Sequence, residues 1–529
     1  MMNKLLLCNE AVAQAAIDAG VSGMYAYPGT PSTEIMEYFI SSEEAAKKNI
    51  HRQWSSNEKT AVEAAIGMSY AGKRAMVAMK HVGLNVAADA FMNVAVTGVN
   101  GGLIVVVADD PSMHSSQNEQ DSRFYARFAN IPCYEPSNQQ EAYDMVFDAF
   151  RLSEKYRLPV LMRLVTRLAH SRAPIKFKTD KNHQNNIALP DDPMQYILLP
   201  ANARKRNKIL IESYEMVRFD NRLSKYNSFE DGKDRGIGII AAGIAYNYLK
   251  ENISSSENSY PILKISAYPF PKDIVLGIFN RCGEVIVLED GYPFLEESLR
   301  GLLDNGKKIY GRMDGTVPRD GELNPNIVAR ALGISSNNYP PVPSVVKPRP
   351  PQFCRGCSHI DMYLALNEAM KQYGNGRVFA DIGCYTLGAL PPYKSISSTV
   401  DMGASITMAI GAADAGLVPS VAVIGDSTFT HSGMTGLLDA VVKKSPITVV
   451  ISDNSTTAMT GGQKSQATGM LDKICLGLGV EPEHMRVIAP LPKHHEENVG
   501  ILREEIAYNG VSVIISRREC IQTAKRKRR

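Results

Sequence analysis

Short runs of aliphatic and β-branched residues recur along the chain, and each run ends near a glycine or an acidic residue. Such runs cover residues 103–107, 237–240, 285–288, 421–424 and 447–451. Because unbroken apolar strands are buried on both faces, as in parallel sheets, these runs predict the strands of such sheets. Alanine-rich helical patterns lie between them, for example over 59–71 and 402–415. The alternation predicts an α/β fold with right-handed crossovers and with functional sites at the carboxyl ends of the strands.

Two polar segments divide this pattern into three parts. Residues 173–232 are polar and broken, and they predict a linker with some helix around 205–225. The proline-rich residues 339–351 predict an extended connector, because proline fixes φ and removes a hydrogen-bond donor. The predicted domains are therefore roughly 1–180, 185–340 and 345–529, and no repeat with a period of about 20–50 residues is visible.

The composition excludes several classes of protein. Of the 529 residues, 44% are hydrophobic and 21% are charged, which is ordinary for a packed chain and argues against disorder. Lysine plus arginine (58) nearly balances aspartate plus glutamate (55), so the net charge of +3 gives no case for binding nucleic acid. The basic residues 525–529 are interpreted as a solvated tail. The longest apolar runs have about six residues, whereas a membrane span needs about 20.

The cysteines and the N-terminal residues indicate the compartment. Eight cysteines are too few for a disulfide scaffold in a chain of 529 residues, and they suit a reducing environment. The first apolar stretch, Leu5 to Leu7, is far shorter than the core of a signal peptide, which has about 7–15 residues. We therefore expect a cytoplasmic protein.

The strongest chemical signal lies in the third part of the chain. Gly425, Asp426 and Ser427 follow a predicted strand, and Asn454 follows the next strand 28 positions after Asp426. One strand–helix–strand crossover fits this spacing, so both strand ends should reach the same edge of the sheet. Carboxylate and amide oxygens suit Mg²⁺, which often shares its ligands with a phosphate, and a glycine lets the backbone approach that phosphate. The alternative is two ordinary strand-end turns, since such a pair is common in sequences.

The residues around this pair carry a resemblance. Residues 425–440 and 453–463 resemble thiamine diphosphate enzymes, most closely the large subunit of the indolepyruvate type within the 2-oxoacid:ferredoxin oxidoreductase family. The resemblance covers nearly the whole chain. It implies three parallel-sheet α/β domains of the thiamine diphosphate-enzyme type: a pyrimidine-binding domain (1–180), a transketolase C-terminal-like domain (185–340) and a diphosphate-binding domain (345–529). It also implies that Asp426, Asn454 and the backbone carbonyl of Thr456 hold Mg²⁺ on the diphosphate.

Glu58 stands at the start of an alanine-rich helical pattern. The ordinary interpretation is a carboxylate favoured by the helix dipole. The resemblance instead makes Glu58 the group that bonds the aminopyrimidine of thiamine diphosphate and stabilises the imino tautomer, whose nitrogen takes the thiazolium proton. Glu63 would lie about 140° further round the helix, so we interpret it as structural.

Two further segments near the N-terminus complete the predicted catalytic set. Thr30 belongs to a Pro-Gly turn that the resemblance places over the thiazolium and the substrate, although a plain helix cap is an equal interpretation. Lys80 and His81 could meet a substrate carboxylate, and a buried, hydrogen-bonded histidine is the alternative. Glu58, Thr30 and His81 are the predicted catalytic residues. The polar residues 109–120 follow a buried strand and are expected near the active site, without individual roles.

The resemblance implies a larger set of cofactor contacts. Cys354 and Cys357 form one Cys-x-x-Cys pair, which we interpret as a wall of the site rather than as a redox or zinc site. Asp401 stands where many relatives have cysteine, which is a departure from the family pattern. Residues 236–246 are not a dinucleotide fingerprint, because position 241 is alanine. The expected cofactor-binding residues are Pro28, Gly29, Glu58, Cys357, His359, Gly383, Tyr385, Met402, Gly403, Ala404, Ser405, Gly425, Asp426, Ser427, Asn454, Met459 and Thr460.

The function implied by the resemblance is oxidative decarboxylation of a 2-oxo acid. An arylpyruvate such as indolepyruvate would yield an acyl-coenzyme A, and electrons would pass to ferredoxin. A smaller β subunit is the expected partner, in a dimer or heterotetramer, with neither nucleic acid nor membrane involved. Two alternatives remain open: a non-oxidative decarboxylase or carboligase that uses the same cofactor, and a catalytically silent assembly scaffold.

Iron–sulfur chemistry is the chief departure from the family. Relatives commonly continue past a segment like residues 515–520 into a ferredoxin-like domain, whereas this chain reaches Arg529 with only Cys520 in that region. A [4Fe–4S] cluster takes four thiolates, and the other cysteines are scattered in sequence. We therefore expect that iron–sulfur clusters are not on this chain and that electrons leave through a partner.

Overall fold

The computed structural model of the chain divides into two compact units, Met1–Pro340 (unit 1) and Pro341–Arg529 (unit 2). The structure describes residues 3–179, 181–192, 195–197, 200–253, 260–302, 308–318, 321–334, 342–347, 351–399, 402–414 and 417–527. Asp401, the departure from the family pattern, lies outside these residues. None of the described helices has the length and apolar character that crossing a membrane requires.

Unit 1 contains fourteen described strands and fourteen described helices. The strands are β1 (Asn3–Leu7), β2 (Gly23–Ala26), β3 (His51–Trp54), β4 (Ala75–Lys80), β5 (Leu103–Asp109), β6 (Cys133–Tyr134), β7 (Val160–Val165), β8 (Arg172–Lys176), β9 (Ser228–Glu230), β10 (Ile237–Ala242), β11 (Ile262–Ile265), β12 (Ala267–Tyr268), β13 (Glu284–Leu288) and β14 (Ile309–Tyr310). The helices are α1 (Cys8–Asp18), α2 (Thr33–Ser41), α3 (Glu43–Lys47), α4 (Glu58–Tyr70), α5 (His81–Val86), α6 (Ala88–Thr97), α7 (Arg123–Ala129), α8 (Gln139–Tyr156), α9 (Thr166–Ala169), α10 (Pro200–Asp220), α11 (Ile244–Ile253), α12 (Lys272–Phe279), α13 (Phe294–Leu302) and α14 (Pro325–Ala331).

Two mainly parallel sheets form the framework of unit 1. The larger has the strand order β12-β6-β7-β5-β4-β2-β3, and only its edge strand β12 is antiparallel to its neighbour. The smaller has the order β14-β13-β10-β11-β9, with β9 antiparallel at one edge. Every residue of the central strands β4 and β5 is buried, because helices cover both faces. Their apolar side chains divide between two hydrophobic clusters, as alternation along a strand requires.

The segment expected as a linker is instead bound to the first part of the chain, through a separate two-stranded sheet and through the end of α4. β8 pairs with β1, and further along the backbone N–H of Ala188 donates to the carbonyl of Ala71, 3.0 Å away. Gly72 has a φ of +84°, and a Cβ there would lie 2.7 Å from the carbonyl oxygen of Ala188, so only glycine allows this approach. The predicted helix exists as α10 but spans 200–220, which is earlier than expected. The polar composition of this segment reflects its position at the surface. It does not mean that the segment lacks contacts with the rest of unit 1.

Unit 2 is built on one six-stranded sheet in which all neighbouring strands run parallel, in the order β16-β15-β17-β18-β22-β21. The strands are β15 (Val378–Ala380), β16 (Ser398–Thr399), β17 (Ser420–Gly425), β18 (Ile447–Asp453), β19 (Thr456–Thr457), β20 (Gln463–Lys464), β21 (Met485–Ile488) and β22 (Ser512–Arg517), of which β19 and β20 form a separate hairpin. The helices are α15 (Ser358–Met370), α16 (Ala404–Asp414), α17 (Asp426–Thr428), α18 (Met434–Lys443), α19 (Leu471–Gly477), α20 (His495–Ala507) and α21 (Ile521–Lys527).

The core of unit 2 lies on both faces of this sheet. Along β17, Val421 and Val423 join one hydrophobic cluster, and Ala422 and Ile424 join the other. This alternation explains why the strand reads as an unbroken apolar run. The predicted α/β fold with mostly parallel sheets is confirmed, and the carboxyl ends of β15, β17, β18 and β22 meet at one edge of the sheet.

Candidate functional site

At the carboxyl edge of the unit 2 sheet, Asp426 is the residue whose environment best suits the binding of a cation. It begins α17 directly after β17 and is 2% exposed. Its Oδ2 atom is buried and has no hydrogen-bond partner among the described residues. Burial, and then the nearby carboxylate of Asp453, raises the pKa of Asp426 to about 7. A buried carboxylate oxygen without a partner is costly, and a bound cation would stabilise it.

Asn454 and Thr456 lie on the loop that follows the neighbouring strand β18. Both are buried, and the side-chain oxygen of Asn454 accepts a hydrogen bond of 3.1 Å from the backbone N–H of Thr456. The hydroxyls of Ser427 and Thr457 lie 2.9 Å apart and join this loop to the one that carries Asp426. The structure thus places the three predicted metal ligands on two adjoining loops, with oxygen atoms that suit Mg²⁺.

Tyr385 fills the space behind these loops. Its ring is buried, and a Cβ on Gly425 would lie 2.7 Å from it, so glycine is needed at the end of β17. Gly383 also packs against this ring. The hydroxyl of Tyr385 donates to Asp381, whose other oxygen accepts a hydrogen bond of 2.6 Å from the hydroxyl of Ser405. In this structure Tyr385, Gly383 and Ser405 build the wall of the edge, and burial raises the pKa of Asp381 to about 6.

The remaining predicted contacts of unit 2 lie on loops around the same edge. Gly403 has a φ of +98° and packs against Ser432, immediately before α16 begins at Ala404. Met402 is partly buried, whereas Met459 is 62% exposed. The hydroxyl of Thr460 donates a hydrogen bond of 2.6 Å to the side chain of Gln463.

Four cysteines that are scattered in sequence converge in unit 2. Electrostatic interactions link Cys384 with Cys354, Cys357 and Cys520, and link Cys357 with Cys354 and Cys520. The side-chain amide of Gln522 donates to the sulfur of Cys354, 3.3 Å away, so the segment after β22 contacts the Cys-x-x-Cys turn. Burial raises the pKa of Cys357 to about 11 and that of Cys384 to about 12. We call these four residues the thiol group.

The spacing within the thiol group bears on what it can bind. Among the described residues, the only three metal-ligating side chains whose ligand atoms all lie within 4.8 Å of one another are Glu368, His495 and Glu496. Four thiolates on one zinc ion lie about 3.8 Å apart, given a Zn–S bond of about 2.3 Å. No three of these four thiol sulfurs all lie within 4.8 Å of one another, so the group as a whole is wider than a four-thiolate zinc site. The expectation that no iron–sulfur cluster sits on this chain rested on the scattered cysteines and on the assignment of their segments to the wall of the cofactor pocket. In the structure these four thiols lie together.

His359 borders the thiol group. Its Nδ1 atom lies 3.0 Å from the sulfur of Cys357, and its ring stacks on that of Phe353. Burial lowers the pKa of His359 to about 4, so the ring is neutral at physiological pH. His359 therefore faces Cys357, which is itself a member of the thiol group.

In unit 1, Glu58 begins α4 and is 6% exposed. The helix starts there because the side chain of Asn57 accepts a hydrogen bond of 2.9 Å from the N–H of Thr60. The Glu58 side chain packs on Gly83 of α5, where any larger residue would displace it. Glu63, by contrast, is half exposed and pairs with Lys59 on the surface. The two glutamates have the different environments that their helical spacing predicts.

Thr30 and Lys80 meet at the carboxyl edge of the larger unit 1 sheet. Lys80 ends β4 and is 8% exposed, and its ammonium group donates to the carbonyl of Ser115, 2.8 Å away. The Ser115 hydroxyl lies 3.4 Å from the carbonyl of Thr30. Pro28 is buried, and Gly29 packs against the Lys80 side chain. Burial lowers the pKa of Lys80 to about 8, against the opposing effect of Asp110.

His81 follows Lys80 and is 1% exposed, so its ring is enclosed by protein. Its Nε2 atom lies 3.1 Å from the carbonyl oxygen of Asn118, and its Nδ1 atom is buried without a partner among the described residues. The residue predicted as catalytic therefore has its polar atoms directed at the protein in this structure. Lys80, the other residue predicted to meet a substrate carboxylate, is 8% exposed, and its ammonium group contacts the loop after β5.

Two groups were missed by sequence reasoning. Asp381 and Ser405 form a buried pair behind the cofactor-facing loops, although both stand in segments that carried the resemblance. The thiol group was missed because its members come from three separate segments.

Comparisons with known proteins agree with this geometry. Residues 14–232 match the thiamine diphosphate-binding family model of pyruvate flavodoxin/ferredoxin oxidoreductases, and residues 381–484 match the C-terminal TPP-binding domain of thiamine pyrophosphate enzymes. The indolepyruvate oxidoreductase subunit IorA of Archaeoglobus fulgidus is 38% identical, over 99% of this chain and 87% of that protein. The IorA subunit of Pyrococcus horikoshii is also 38% identical, over 98% of this chain and 85% of its own.

A solved structure shares the fold. The 2-oxoglutarate:ferredoxin oxidoreductase of Magnetococcus marinus has a TM-score of 0.53 and 18% identity, over 63% of this chain and 65% of that chain. Fold and matched domains thus define a class, the thiamine diphosphate-dependent 2-oxoacid oxidoreductases. Within it, the chain belongs to the family of indolepyruvate oxidoreductase IorA subunits.

Proposed function

We propose that this chain binds thiamine diphosphate with Mg²⁺ and oxidatively decarboxylates an arylpyruvate such as indolepyruvate to an acyl-coenzyme A. The electrons pass to ferredoxin, and a smaller β subunit completes the enzyme. The buried, unpartnered oxygen of Asp426 beside the Asn454 loop carries this proposal, because it matches a cation on a diphosphate. The name of the IorA relatives supports the choice of substrate.

The residues of unit 2 fit the metal and the diphosphate. Asp426, Asn454 and the carbonyl of Thr456 would hold Mg²⁺. Gly425 leaves room for the ring of Tyr385, with which a side chain at that position would collide. Arg517 donates a 2.7 Å hydrogen bond to Asp453, so that second carboxylate is neutralised within the protein and is not offered to the metal.

The residues of unit 1 fit the organic part of the reaction. When bound, thiamine diphosphate supplies a carbanion that attacks the 2-oxo carbon. Glu58 would bond the aminopyrimidine and hold a proton at its carboxyl group, and Gly83 leaves room for that side chain. Lys80 would bind the substrate carboxylate by its ammonium group, in a buried place where the attraction is stronger than in water. Thr30 lines the same edge.

The thiol group fits an electron carrier. Four thiolates are the ligand number of a [4Fe–4S] cluster, and the spacing exceeds what a single zinc ion would need. Cys384 also interacts electrostatically with Asp426, which places the thiols near the proposed diphosphate site. We therefore propose an iron–sulfur cluster at Cys354, Cys357, Cys384 and Cys520, in place of the earlier expectation that this chain has none.

The reaction itself is tested by the products. The chain, purified anaerobically with its small subunit, should convert indolepyruvate, coenzyme A and oxidised ferredoxin to an acyl-coenzyme A and reduced ferredoxin. Mass spectrometry separates this product from the aldehyde that a non-oxidative decarboxylase would release. Aldehyde as the main product would favour the decarboxylase, and no cofactor-dependent turnover of any 2-oxo acid would favour a scaffold.

Asp426→Asn should weaken Mg²⁺-dependent binding of thiamine diphosphate by about 100-fold or more, because even outer-shell changes at metal sites cost about 10–100-fold. Isothermal calorimetry measures this effect without turnover. Asp439→Asn is the matched control, since Asp439 pairs with Lys443 on the surface of α18. Equal affinities for the two variants would contradict the metal assignment.

Glu58→Gln should keep thiamine diphosphate binding within a few-fold but slow exchange of the thiazolium C2 proton by about 100-fold or more, because an amide cannot act as the acid–base partner. Proton NMR of the bound cofactor in D₂O reports the exchange. Glu63→Gln changes the same group on the same helix at an exposed position and should behave as the wild type. Exchange at the normal rate in Glu58→Gln would remove the assigned role.

The chain alone, prepared without oxygen, should contain about four iron atoms and matching acid-labile sulfide. Cys384→Ala should abolish the iron, because the variant lacks one of the four thiolates. Cys475→Ala is the control, since Cys475 is buried in α19 away from the thiol group. Absence of iron in the wild type, or iron retained in Cys384→Ala, would contradict the proposed cluster. The electron carrier would then have to lie on a partner subunit.

A further inference from the structure

Asp110 directly follows β5 and begins the loop that contacts Lys80. Its side chain is fully buried. Its Oδ2 atom accepts hydrogen bonds from the N–H of Ser115, 2.8 Å away, and from the hydroxyl of Ser116, 2.6 Å away. Its Oδ1 atom accepts from the hydroxyl of Thr166, 2.6 Å away. An ionised carboxylate has only acceptors, so these three donors compensate its burial.

The register of two central strands sets this arrangement. Asp109 of β5 is paired with Val165 of β7, so Asp110 and Thr166, which follow them, are neighbours at the carboxyl edge of the sheet. From Asp110 the chain turns through residues 111–116, which we call the 111–116 loop. Thr166 thus fixes one oxygen of the carboxylate to the sheet, while the other oxygen binds the N–H and hydroxyl groups of the loop.

Ser115 connects Asp110 to Lys80. Its N–H donates to Asp110, and its carbonyl accepts a hydrogen bond of 2.8 Å from the Lys80 ammonium group. The residue that Asp110 fixes is therefore the residue that orients the ammonium group. His114 of the same loop pairs separately with Glu322, so loss of the Asp110 contacts would loosen the loop without detaching it.

Asp110 also acts on Lys80 by its charge. Burial lowers the pKa of Lys80 to about 8, and the Asp110 carboxylate opposes that shift. Burial acts against ionisation of Asp110, but the hydrogen bonds that it accepts lower its pKa, so the carboxylate is ionised at neutral pH. His170, after α9, also interacts electrostatically with Asp110, and it pairs with Glu34, 3.3 Å away.

We propose that Asp110 is a positioning residue for Lys80: it folds the 111–116 loop so that the Ser115 carbonyl holds the ammonium group, and it acts on that group by its own charge. Asp110 then works through Ser115 and through space, and not on the reacting atoms. The role of Lys80 toward a substrate rests on the proposed function, whereas the folding of the loop and the effect of the charge do not.

Two substitutions separate the hydrogen bonds of Asp110 from its charge. Asp110→Ala removes both, and hydrogen–deuterium exchange of peptides covering 111–118 should quicken about tenfold in the full chain without substrate. Asp110→Asn keeps an oxygen for the two serines and offers an N–H to the hydroxyl of Thr166, so exchange should stay within about threefold of the wild type.

This measurement can overturn the proposal in two ways. Exchange at the wild-type rate in Asp110→Ala would do so, and so would exchange as fast in Asp110→Asn as in Asp110→Ala. If Asp110→Ala does not fold, Ser116→Ala removes a single donor to the carboxylate and should quicken exchange about fivefold. Unchanged exchange in Ser116→Ala would then contradict the role of the hydrogen bonds.

The charge is tested by competitive labelling of Lys80 with acetic anhydride over a range of pH, followed by mass spectrometry. Asp110→Asn should lower the pH of half-maximal labelling by about one unit, because an ammonium group loses its proton more readily without a neighbouring carboxylate. Asp89→Asn removes the same charge from the exposed face of α6 and should leave the midpoint unchanged. His170→Gln should also leave it unchanged. An unaltered midpoint in Asp110→Asn would overturn the effect of the charge.

The assembled enzyme gives a third measurement. Asp110→Asn should match the wild-type KM for the 2-oxo acid near pH 6 and exceed it about fivefold near pH 8, where a one-unit shift leaves about a fifth as many Lys80 side chains protonated. Thiamine diphosphate affinity should stay unchanged. If exchange and labelling respond but the wild type turns over no 2-oxo acid, the proposed function fails and the assignment of Asp110 stands. If turnover is present and neither measurement responds, the assignment of Asp110 fails alone.

Discussion

Parallel strands bring their carboxyl ends to one edge, and every polar residue placed there must find a partner or a ligand. In this chain, buried aspartates follow or end four central strands: Asp109 on β5, Asp381 after β15, Asp426 after β17 and Asp453 on β18. Ionised carboxylates are costly to bury without compensation. How each of the four is compensated distinguishes a structural role from a ligand-binding role.

Three of these aspartates have strong partners in the protein. Asp453 accepts from Arg517, Asp109 from Arg163, and Asp381 from Ser405 and Tyr385. Asp426 and Asp109 each have one buried oxygen without a partner among the described residues, but Arg163 pairs with Asp109 whereas no basic side chain among those residues pairs with Asp426. The arrangement leaves a deficit of positive charge at one strand end, which the proposed metal on a diphosphate would correct. The distinction rests on local hydrogen bonding and is independent of the family comparison.

The need to pair buried charges also links the two sheets of unit 1. Arg163 lies fully buried on β7, contacts Glu135 and Asp109, and donates to the backbone carbonyl of Asp290 after β13, 2.9 Å away. Tyr268 on the edge strand β12 donates to Glu135 at 2.7 Å. Removing one member would leave an uncompensated charge at the junction of the sheets, which is why such networks resist substitution although they add little net stability. The network also fixes Asp109 and thereby the loop over Lys80.

The sequence predicted those features of the fold and the site that depend on local residue patterns. Apolar runs located the central strands, and the spacing of Asp426 and Asn454 followed from one crossover. Residues 173–232 were predicted to be a linker, but part of this segment is bound closely to unit 1. The polar composition could not show this, because the close approach depends on the absence of side chains at Gly20 and Gly72. The convergence of Cys384 and Cys520 depends on strand order, with β17 and β18 lying between β15 and β22, and no local pattern encodes that order. The enclosure of His81 matches the alternative that the sequence left open, a buried, hydrogen-bonded histidine.

Strand order also explains how the thiol group and the proposed diphosphate site come to be adjacent. The segment after β22 turns back beside the loop after β18, because the two strands are paired in register from Thr448 to Asp453. That turn is fixed by the N–H of Cys520, which donates to the carbonyl of Asn454, 3.1 Å away. One backbone hydrogen bond thus connects a proposed metal ligand to a proposed cluster ligand. Since Cys384 also senses the charge of Asp426, a change of charge at either site acts on the other within the same unit. An electron carrier built here would stand beside the cofactor that reduces it.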